Sequence, residues 1–118
     1  MNWSAQRIAF IGTGQMAMAL AAGFVRQLLK PSQISGYDPV EASRVAFAGK
    51  TGDGVVLSDS PALAISGATV VILAVKPQVM DEALRSVADA LGSGSNAGPL
   101  VVSIAAGIPI ERLEQGLP

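Results

Sequence analysis

Two glycines that follow an apolar run are the residues of this sequence with the clearest chemical use. In the stretch RIAFIGTGQMAMAL, Gly12 and Gly14 stand between five mostly apolar residues and a segment rich in alanine and methionine. Gly12 would let the chain turn tightly, and Gly14, which has no side chain, would let a pyrophosphate group approach the backbone. The helix that follows would direct its free N–H groups at the phosphate oxygens.

The spacing of these glycines extends to Ala17 and gives the pattern G-x-G-x-x-A. The pattern follows a predicted strand, opens a predicted helix and lies in a βαβ unit, so it indicates a dinucleotide-binding loop. Met16, at the start of the helix, is expected to touch the ligand. The alternative is an ordinary strand-to-helix turn in which the glycines serve only the geometry.

Asp38 is a candidate for recognising the ribose of such a ligand. It lies 24 residues after Gly14, at the end of the second predicted strand. A carboxylate at about this distance accepts hydrogen bonds from the adenosine ribose in dinucleotide-binding folds. The alternative is that Asp38 caps the helix that begins at Pro39, which Asp also does well. One residue could serve both roles.

Two further segments end predicted strands with residues suited to a ligand site. AVKPQ places Lys76 beside the turn-forming Pro77, at the sheet edge where ligands bind in open α/β folds. SIAAGIP supplies small residues that would leave room for a flat ring against the backbone. The alternatives are a solvated surface lysine in the first segment, and simple packing with a turn at Gly107 in the second.

The composition bounds the class of protein and the chemistry open to it. The chain has 118 residues, the length of one domain, and is 50% hydrophobic and 14% charged, which excludes a disordered tail. Its net charge of −1 argues against nucleic acid or a membrane surface as a partner, and its apolar runs are far below the ~20 residues of a membrane span. Without Cys or His, thiolate and imidazole chemistry are excluded and no metal site is expected. The cysteine-free composition fits a cytoplasmic protein.

Short apolar runs alternate with helical patterns along the chain. Runs rich in Val and Ile predict strands covered on both faces, at residues 7–11, 54–58, 69–75 and 100–105. QISGYD, at residues 33–38, is expected to form a further strand although it is not such a run. Helical spacing and Pro or Gly punctuation predict helices at residues 15–30, 39–48, 60–66, 77–91 and 109–116. This alternation predicts a doubly wound, Rossmann-like α/β fold with a mostly parallel five-stranded sheet, as a single domain over residues 1–118.

Three motifs, FIGTGQMAMAL, VVILAVKPQVM and LVVSIAAGIPIERLE, together resemble the N-terminal domain of Δ1-pyrroline-5-carboxylate reductases over nearly the whole chain. That family reduces a cyclic imine with NAD(P)H in the last step of proline biosynthesis. The resemblance implies NADP or NAD as the cofactor and a small-molecule imine as the substrate. It also implies the contact residues: Gly12, Gly14, Gln15 and Met16 around the pyrophosphate, Ala74, Val75, Lys76 and Pro77 along the nicotinamide half, and Ala105, Ala106 and Gly107 opposite.

The sequence departs from that family at three points. SDSPAL has Pro61 near a position where relatives often carry Asn, so Ser58 or Ser60 would have to replace that contact. Asp38 stands where many relatives have uncharged or basic residues, which favours a modest preference for NADH. Family members also continue into an all-helical domain that forms the dimer and supplies most of the imine site.

We expect that helical domain to be absent from this chain, so we assign no catalytic residue to it and expect the chain alone to be inactive. Homo-oligomerisation is expected of the intact enzyme. Two other interpretations stay open: a domain like that of a coenzyme F420-dependent NADP reductase, which shares the first motif, and a nucleotide-binding module without turnover.

Overall fold

The computed structural model describes residues 2–91 and 98–104. Within them five strands form one sheet in the order β3-β2-β1-β4-β5, and all four neighbouring pairs are parallel. The strands are β1 (Ile8–Ile11), β2 (Ile34–Tyr37), β3 (Val56–Ser58), β4 (Val70–Leu73) and β5 (Leu100–Ser103). The predicted doubly wound α/β fold with a five-stranded parallel sheet is confirmed.

Helices cover both faces of the sheet. In the described residues these are α1 (Gln15–Gln27), α2 (Glu41–Thr51), α3 (Pro61–Ile65) and α4 (Met80–Leu91), with 3₁₀ turns at Trp3–Ala5, Pro31–Gln33 and Pro77–Val79. Side chains of α1 and α2 share one buried cluster with the sheet, and those of α3 and α4 share the other. Parallel strands covered in this way are the usual arrangement in α/β proteins.

Strand β1 lies at the centre of the sheet and is buried along its whole length. Ile8 and Phe10 pack into the layer of α1 and α2, whereas Ala9 and Ile11 pack into the layer of α3 and α4. The rings of Phe10 and Phe47 meet edge to face, with 5.5 Å between centroids. Because both faces are covered, β1 has a continuous apolar sequence, and the loop that leaves it is anchored from both layers.

The order in which successive strands are added to the sheet reverses at β1. Strands β2 and β3 lie on one side of it, and β4 and β5 lie on the other. In open parallel sheets this reversal leaves a crevice outside the carboxyl ends of the strands, where ligands bind. The loop after β1, the end of β2 and the end of β4 therefore meet at one place.

The second helix begins two residues later than predicted, for a local reason. Asp38 accepts the N–H of Val40 through Oδ1 at 2.9 Å, which holds the chain in a turn, so that Val40 is the N-cap and Glu41 begins α2. The helix also runs past residue 48 to Thr51, where Gly52 ends it with a φ of 112°. Such a φ is readily adopted only by glycine.

Other element ends also differ from the predicted ones. The first helix stops at Gln27 rather than residue 30, and Leu28 and Leu29 both donate to the carbonyl of Phe24. The helix predicted over residues 77–91 begins as the 3₁₀ turn Pro77–Val79 and becomes α-helical only at Met80. The helix predicted at residues 109–116 lies outside the described residues.

Two properties of the whole described region bear on function. No helix in residues 2–91 and 98–104 is long and apolar enough to cross a membrane. Across the same residues, no three acidic, His or Cys side chains are grouped so that they could hold a metal ion.

Candidate dinucleotide site

Gly12 brings the end of β4 against the loop that leaves β1. Its φ is 100°, and a Cβ at this position would lie 2.8 Å from the carbonyl oxygen of Ala74 and 3.1 Å from Cγ1 of Val75. On its other side the Gly12 N–H donates to the carbonyl of Tyr37 at 2.8 Å. Gly12 is therefore required by the fold, because any side chain would collide with the backbone of Ala74, just after β4.

Gly14 differs, because nothing in the fold requires it to be glycine. It is exposed, its φ of −73° suits any residue, and a Cβ built on it would have no described atom within 4 Å outside its own stretch of chain. It is the N-cap of α1, and the first helical hydrogen bond runs from Met18 N–H to its carbonyl. The N–H groups at the start of α1 thus have no partner within the helix and border open space.

Gln15 and Met16 line the same approach at the first turn of α1. Both are exposed, and Met16 leaves 62% of its surface accessible, which is unusual for a large apolar side chain. Ala17 by contrast is 1% exposed and packs in the layer of α1 and α2. The structure therefore separates the exposed residues of the motif from the small residue that lets helix and sheet pack closely.

Asp38 is tied to the glycine loop by its side chain. Its Oδ2 accepts the backbone N–H and the hydroxyl of Thr13, each at 3.0 Å, while Oδ1 accepts the N–H of Val40. Thr13 is fully buried, and its methyl group lies against Gly36, where a Cβ would come within 3.0 Å of it. The carboxylate is thereby oriented beside the loop before any ligand arrives.

The two sequence alternatives for Asp38 can be weighed against this geometry. Asp38 is not the N-cap of α2, although it does bond Val40 in the turn before that helix. Two hydrogen bonds occupy Oδ2 and one occupies Oδ1, which leaves an acceptor position on Oδ1. Local bonding and recognition of a ribose hydroxyl are therefore compatible. The backbone carbonyl of Asp38 accepts Nη1 of Arg44 at 2.6 Å.

The residues after β4 reach the same edge of the sheet. Ala74 donates its N–H to the carbonyl of Ile11 at 2.8 Å and, like Val75, is half-buried against the glycine loop. Lys76 and Pro77 are exposed at the start of the 3₁₀ turn. Ala105, Ala106 and Gly107, predicted to lie opposite, are outside the described residues.

The serines proposed to replace the missing Asn serve the start of α3. Ser60 is the N-cap of α3, and its hydroxyl accepts the N–H of Leu63 at 3.4 Å. The hydroxyl of Ser58 accepts the N–H of Ser60 at 2.9 Å, and the Ser58 carbonyl accepts the N–H of Asp38 at 3.2 Å. Ser58 is therefore connected to the end of β2 through the backbone, close to Asp38.

A cavity of about 120 Å³ opens next to these elements, between the end of β2 and the start of α4. Its lining residues are Tyr37, Pro39, Val75, Val79, Glu82, Ala83 and Ser86. Sequence reasoning identified only Val75 among them. The spacing of positions 79, 82, 83 and 86 on one helical face was the signal available, but it does not reveal that this face meets β2.

The cavity carries a negative electrostatic environment. Burial raises the pKa of Tyr37 above its usual value, and the carboxylates of Glu82, Asp38 and Asp59 raise this pKa further. Acidic groups from three different segments therefore surround the end of β2. A neutral or hydrogen-bond-donating ligand suits this place better than an additional anion.

The sequence of residues 7–107 matches the model of a known oxidoreductase family, NADP oxidoreductase coenzyme F420-dependent. The chain belongs to this family. Among its relatives, the pyrroline-5-carboxylate reductase of Pseudomonas aeruginosa is 43% identical over 114 residues, and that of Haemophilus influenzae is 40% identical over 111. These matches cover 97% and 94% of this chain but 40% and 38% of the relatives, so the chain spans about two-fifths of their length.

Solved structures give the same result for the fold. The pyrroline-5-carboxylate reductase from Coxiella burnetii aligns with a TM-score of 0.84 and 27% identity, over 97% of this chain and 40% of the other. The Plasmodium falciparum pyrroline carboxylate reductase, solved with NADP bound, aligns with a TM-score of 0.73 at 24% identity over 95% of this chain and 38% of the other. The arrangement of sheet and helices is thus that of the Rossmann-like domain in those proteins.

Proposed function

We propose that this chain is the dinucleotide-binding domain of a pyrroline-5-carboxylate reductase, with NAD(P)H as its cofactor and a small-molecule imine as the substrate of the intact enzyme. The observation that carries the proposal is the open approach at Gly14. A position that the fold leaves free for any side chain is occupied by glycine, directly before the unpaired N–H groups of α1. A pyrophosphate is the group that such a place accommodates.

The two halves of the dinucleotide would lie on opposite sides of this loop. The adenosine half would lie toward Asp38, with its ribose at the free position of Oδ1 and its base in the cavity beside Tyr37. The nicotinamide half would lie toward Ala74, Lys76 and Pro77. Val75, expected at the nicotinamide half, also lines the cavity and would contact the adenosine half.

The chain's own contribution is to bind and orient. Gly12 and Thr13 fix the loop between β2 and β4, and Asp38 is held ready by Thr13. When bound, the reduced nicotinamide supplies hydride to an imine carbon, and the protein positions it. A small residue at Ala74 leaves the backbone accessible at the end of β4, where a flat ring would lie.

The remaining parts of the proposal concern the intact enzyme. Its place would be the last reduction of proline biosynthesis, and it would act as a homo-oligomer in the cytoplasm. They are supported by the names and lengths of the relatives, which extend well beyond the matched region, and, for the cytoplasm, by the cysteine-free sequence.

A domain exchange tests the proposal. The corresponding residues of the Pseudomonas aeruginosa reductase would be replaced by this chain, and NAD(P)H oxidation would be followed with pyrroline-5-carboxylate as substrate. We expect the hybrid to turn over, and expect the 118-residue chain alone to bind the cofactor without reducing the imine. A folded hybrid that binds cofactor but reduces no imine would indicate a nucleotide-binding module instead.

The description of the matched family favours one second candidate, a domain that transfers hydride between NADP and coenzyme F420. The named relatives argue for the imine reductase, because they match over the same residues at up to 43% identity. Reduction of F420 by the hybrid or the natural protein with NADPH would decide for the second candidate.

A further inference from the structure

The cavity between β2 and α4 contains a carboxylate that the proposed function leaves unused. Glu82 lies in the first turn of α4, is exposed, and forms no hydrogen bond or ion pair with another described residue. Ser86 follows it by four residues, so the two side chains share one face of the helix. They supply polar groups to walls that are otherwise formed by Pro39, Val75, Val79 and Ala83, with Tyr37 at the end of β2.

The apolar walls of the cavity could pack against the face of a planar base. The carboxylate of Glu82 could accept a hydrogen bond from a donor on the edge of that base. Tyr37 offers an aromatic ring, on which bases of any type stack. A carboxylate only accepts hydrogen bonds. Adenine presents an amino group, which donates, at the position where hypoxanthine presents a carbonyl oxygen, which accepts. A carboxylate facing that position would bond the first base and repel the second.

The cavity that Glu82 lines adjoins both the glycine loop and the candidate ribose site, where the adenosine half of the ligand would lie. Val75 touches both the Gly12 position and the cavity, so the cavity adjoins the loop directly. Pro39 in its wall follows Asp38 in the chain, so the cavity also adjoins the candidate ribose site. Glu82 influences the Tyr37 hydroxyl more strongly than Asp38 does, which agrees with a position inside this part of the crevice.

We propose that Glu82 is a specificity-determining residue that recognises the adenine base, its carboxylate accepting a hydrogen bond from the exocyclic amino group of the base seated in this cavity. The inference rests on the proposed function, because it assumes that the cavity holds the adenosine half of a dinucleotide. It predicts discrimination between NADH and the analogue in which hypoxanthine replaces adenine.

The test is a fluorescence titration of the 118-residue chain with NADH and with its hypoxanthine analogue. For the wild type we expect the analogue to bind about tenfold more weakly, the low end of the range for a hydrogen bond to a charged group, since Glu82 is exposed. In Glu82→Gln the side-chain amide can donate or accept, so the two dissociation constants should differ less than about threefold. Glu82→Gln should fold like the wild type, because the side chain of Glu82 is on the surface.

Asp89→Asn is the matched control. It removes the same charge from the same helix at an exposed position outside the cavity, so the tenfold ratio should persist. Equal affinities of the wild type for both ligands, or an unchanged ratio in Glu82→Gln, would overturn the inference and leave Glu82 as a helix-terminal charge, while the proposed function would stand. A folded chain that binds neither ligand would overturn the proposed function together with it.

Discussion

Replacement of Gly14 by valine separates a ligand-binding role from a structural one. A Cβ at this position meets no described atom within 4 Å outside its own stretch of chain, and the φ of −73° is ordinary for valine. The expected cost to folding is that of a poorer N-cap, about 1 kcal/mol. In a domain of this size that lowers the melting temperature by about 4 °C, so Gly14→Val should remain folded at 25 °C.

The same substitution should strongly impair cofactor binding. The branched side chain would occupy the space before the free N–H groups of α1, where the pyrophosphate would approach. Each hydrogen bond to a charged group contributes about 1.5–3 kcal/mol, and each 1.4 kcal/mol is tenfold in affinity. The loss of one such bond therefore weakens binding about tenfold to a hundredfold, and the loss of two abolishes it at practical concentrations.

Gly12→Val supplies the contrast, because there the fold should fail first. The φ of 100° and the 2.8 Å approach to the Ala74 carbonyl predict a loss of at least about 2 kcal/mol of stability. Thermal unfolding by circular dichroism and calorimetric titration with NADH measure both effects on both variants. A folded Gly14→Val with the wild-type dissociation constant would refute the reasoning and reduce the loop to a structural turn.

Three further predictions concern selectivity, stability and titration. A 2′-phosphate about 4 Å from the Asp38 carboxylate would cost roughly 1 kcal/mol in a water-like environment and about 4 kcal/mol at a partly screened surface. NADH should therefore bind a few-fold to several-hundred-fold more tightly than NADPH, and Asp38→Ser should reduce this ratio of dissociation constants. A wild type that prefers NADPH would mean that Arg44 or the local bonding of Asp38 decides the preference. Gly23→Ala, at a position within α1 where a Cβ has open space, should stabilise the fold by about 0.5–1 kcal/mol, and a lower melting temperature would contradict this. Tyr37, the one tyrosine of the sequence, should ionise above pH 10 in an ultraviolet titration, and its pKa should be lower in Glu82→Gln than in the wild type. Because this pKa is raised in the folded state, the stability of the fold should decrease as the pH rises from about 10 through that pKa. An ionisation midpoint of Tyr37 at or below pH 10 would contradict the packing at the cavity.

The strands near the centre of the sheet, β1 and β4, were predictable because both of their faces are covered. Apolar runs identified four of the five strands and the segment QISGYD indicated β2, all within two residues of the observed ends, as with β1, predicted over residues 7–11 and found at Ile8–Ile11. The ends were less accurate, since Ala74 and Val75 continue the apolar run although β4 ends at Leu73 and both residues pack against the Gly12 position. A sequence does not distinguish an apolar residue in a strand from one that packs just beyond it.

The glycine loop and Asp38 were also predictable, because their positions follow from local spacing. The long-range contacts that orient Asp38 and form the neighbouring cavity were not predictable from local spacing. The bonds from Thr13 to Asp38 join residues 25 positions apart, and the cavity depends on α4 packing beside the end of β2, more than 40 residues earlier in the chain. Only the folded topology brings Glu82 near Tyr37, so the helical spacing of positions 79, 82, 83 and 86 did not reveal that this face lines a cavity with the end of β2.

The most direct test of the account is a calorimetric titration of the folded 118-residue chain with NADH. We expect saturable binding at one site, which is lost in Gly14→Val and retained in Asp89→Asn. A chain that is folded by circular dichroism and yet shows no saturable binding of NADH or NADPH would contradict it.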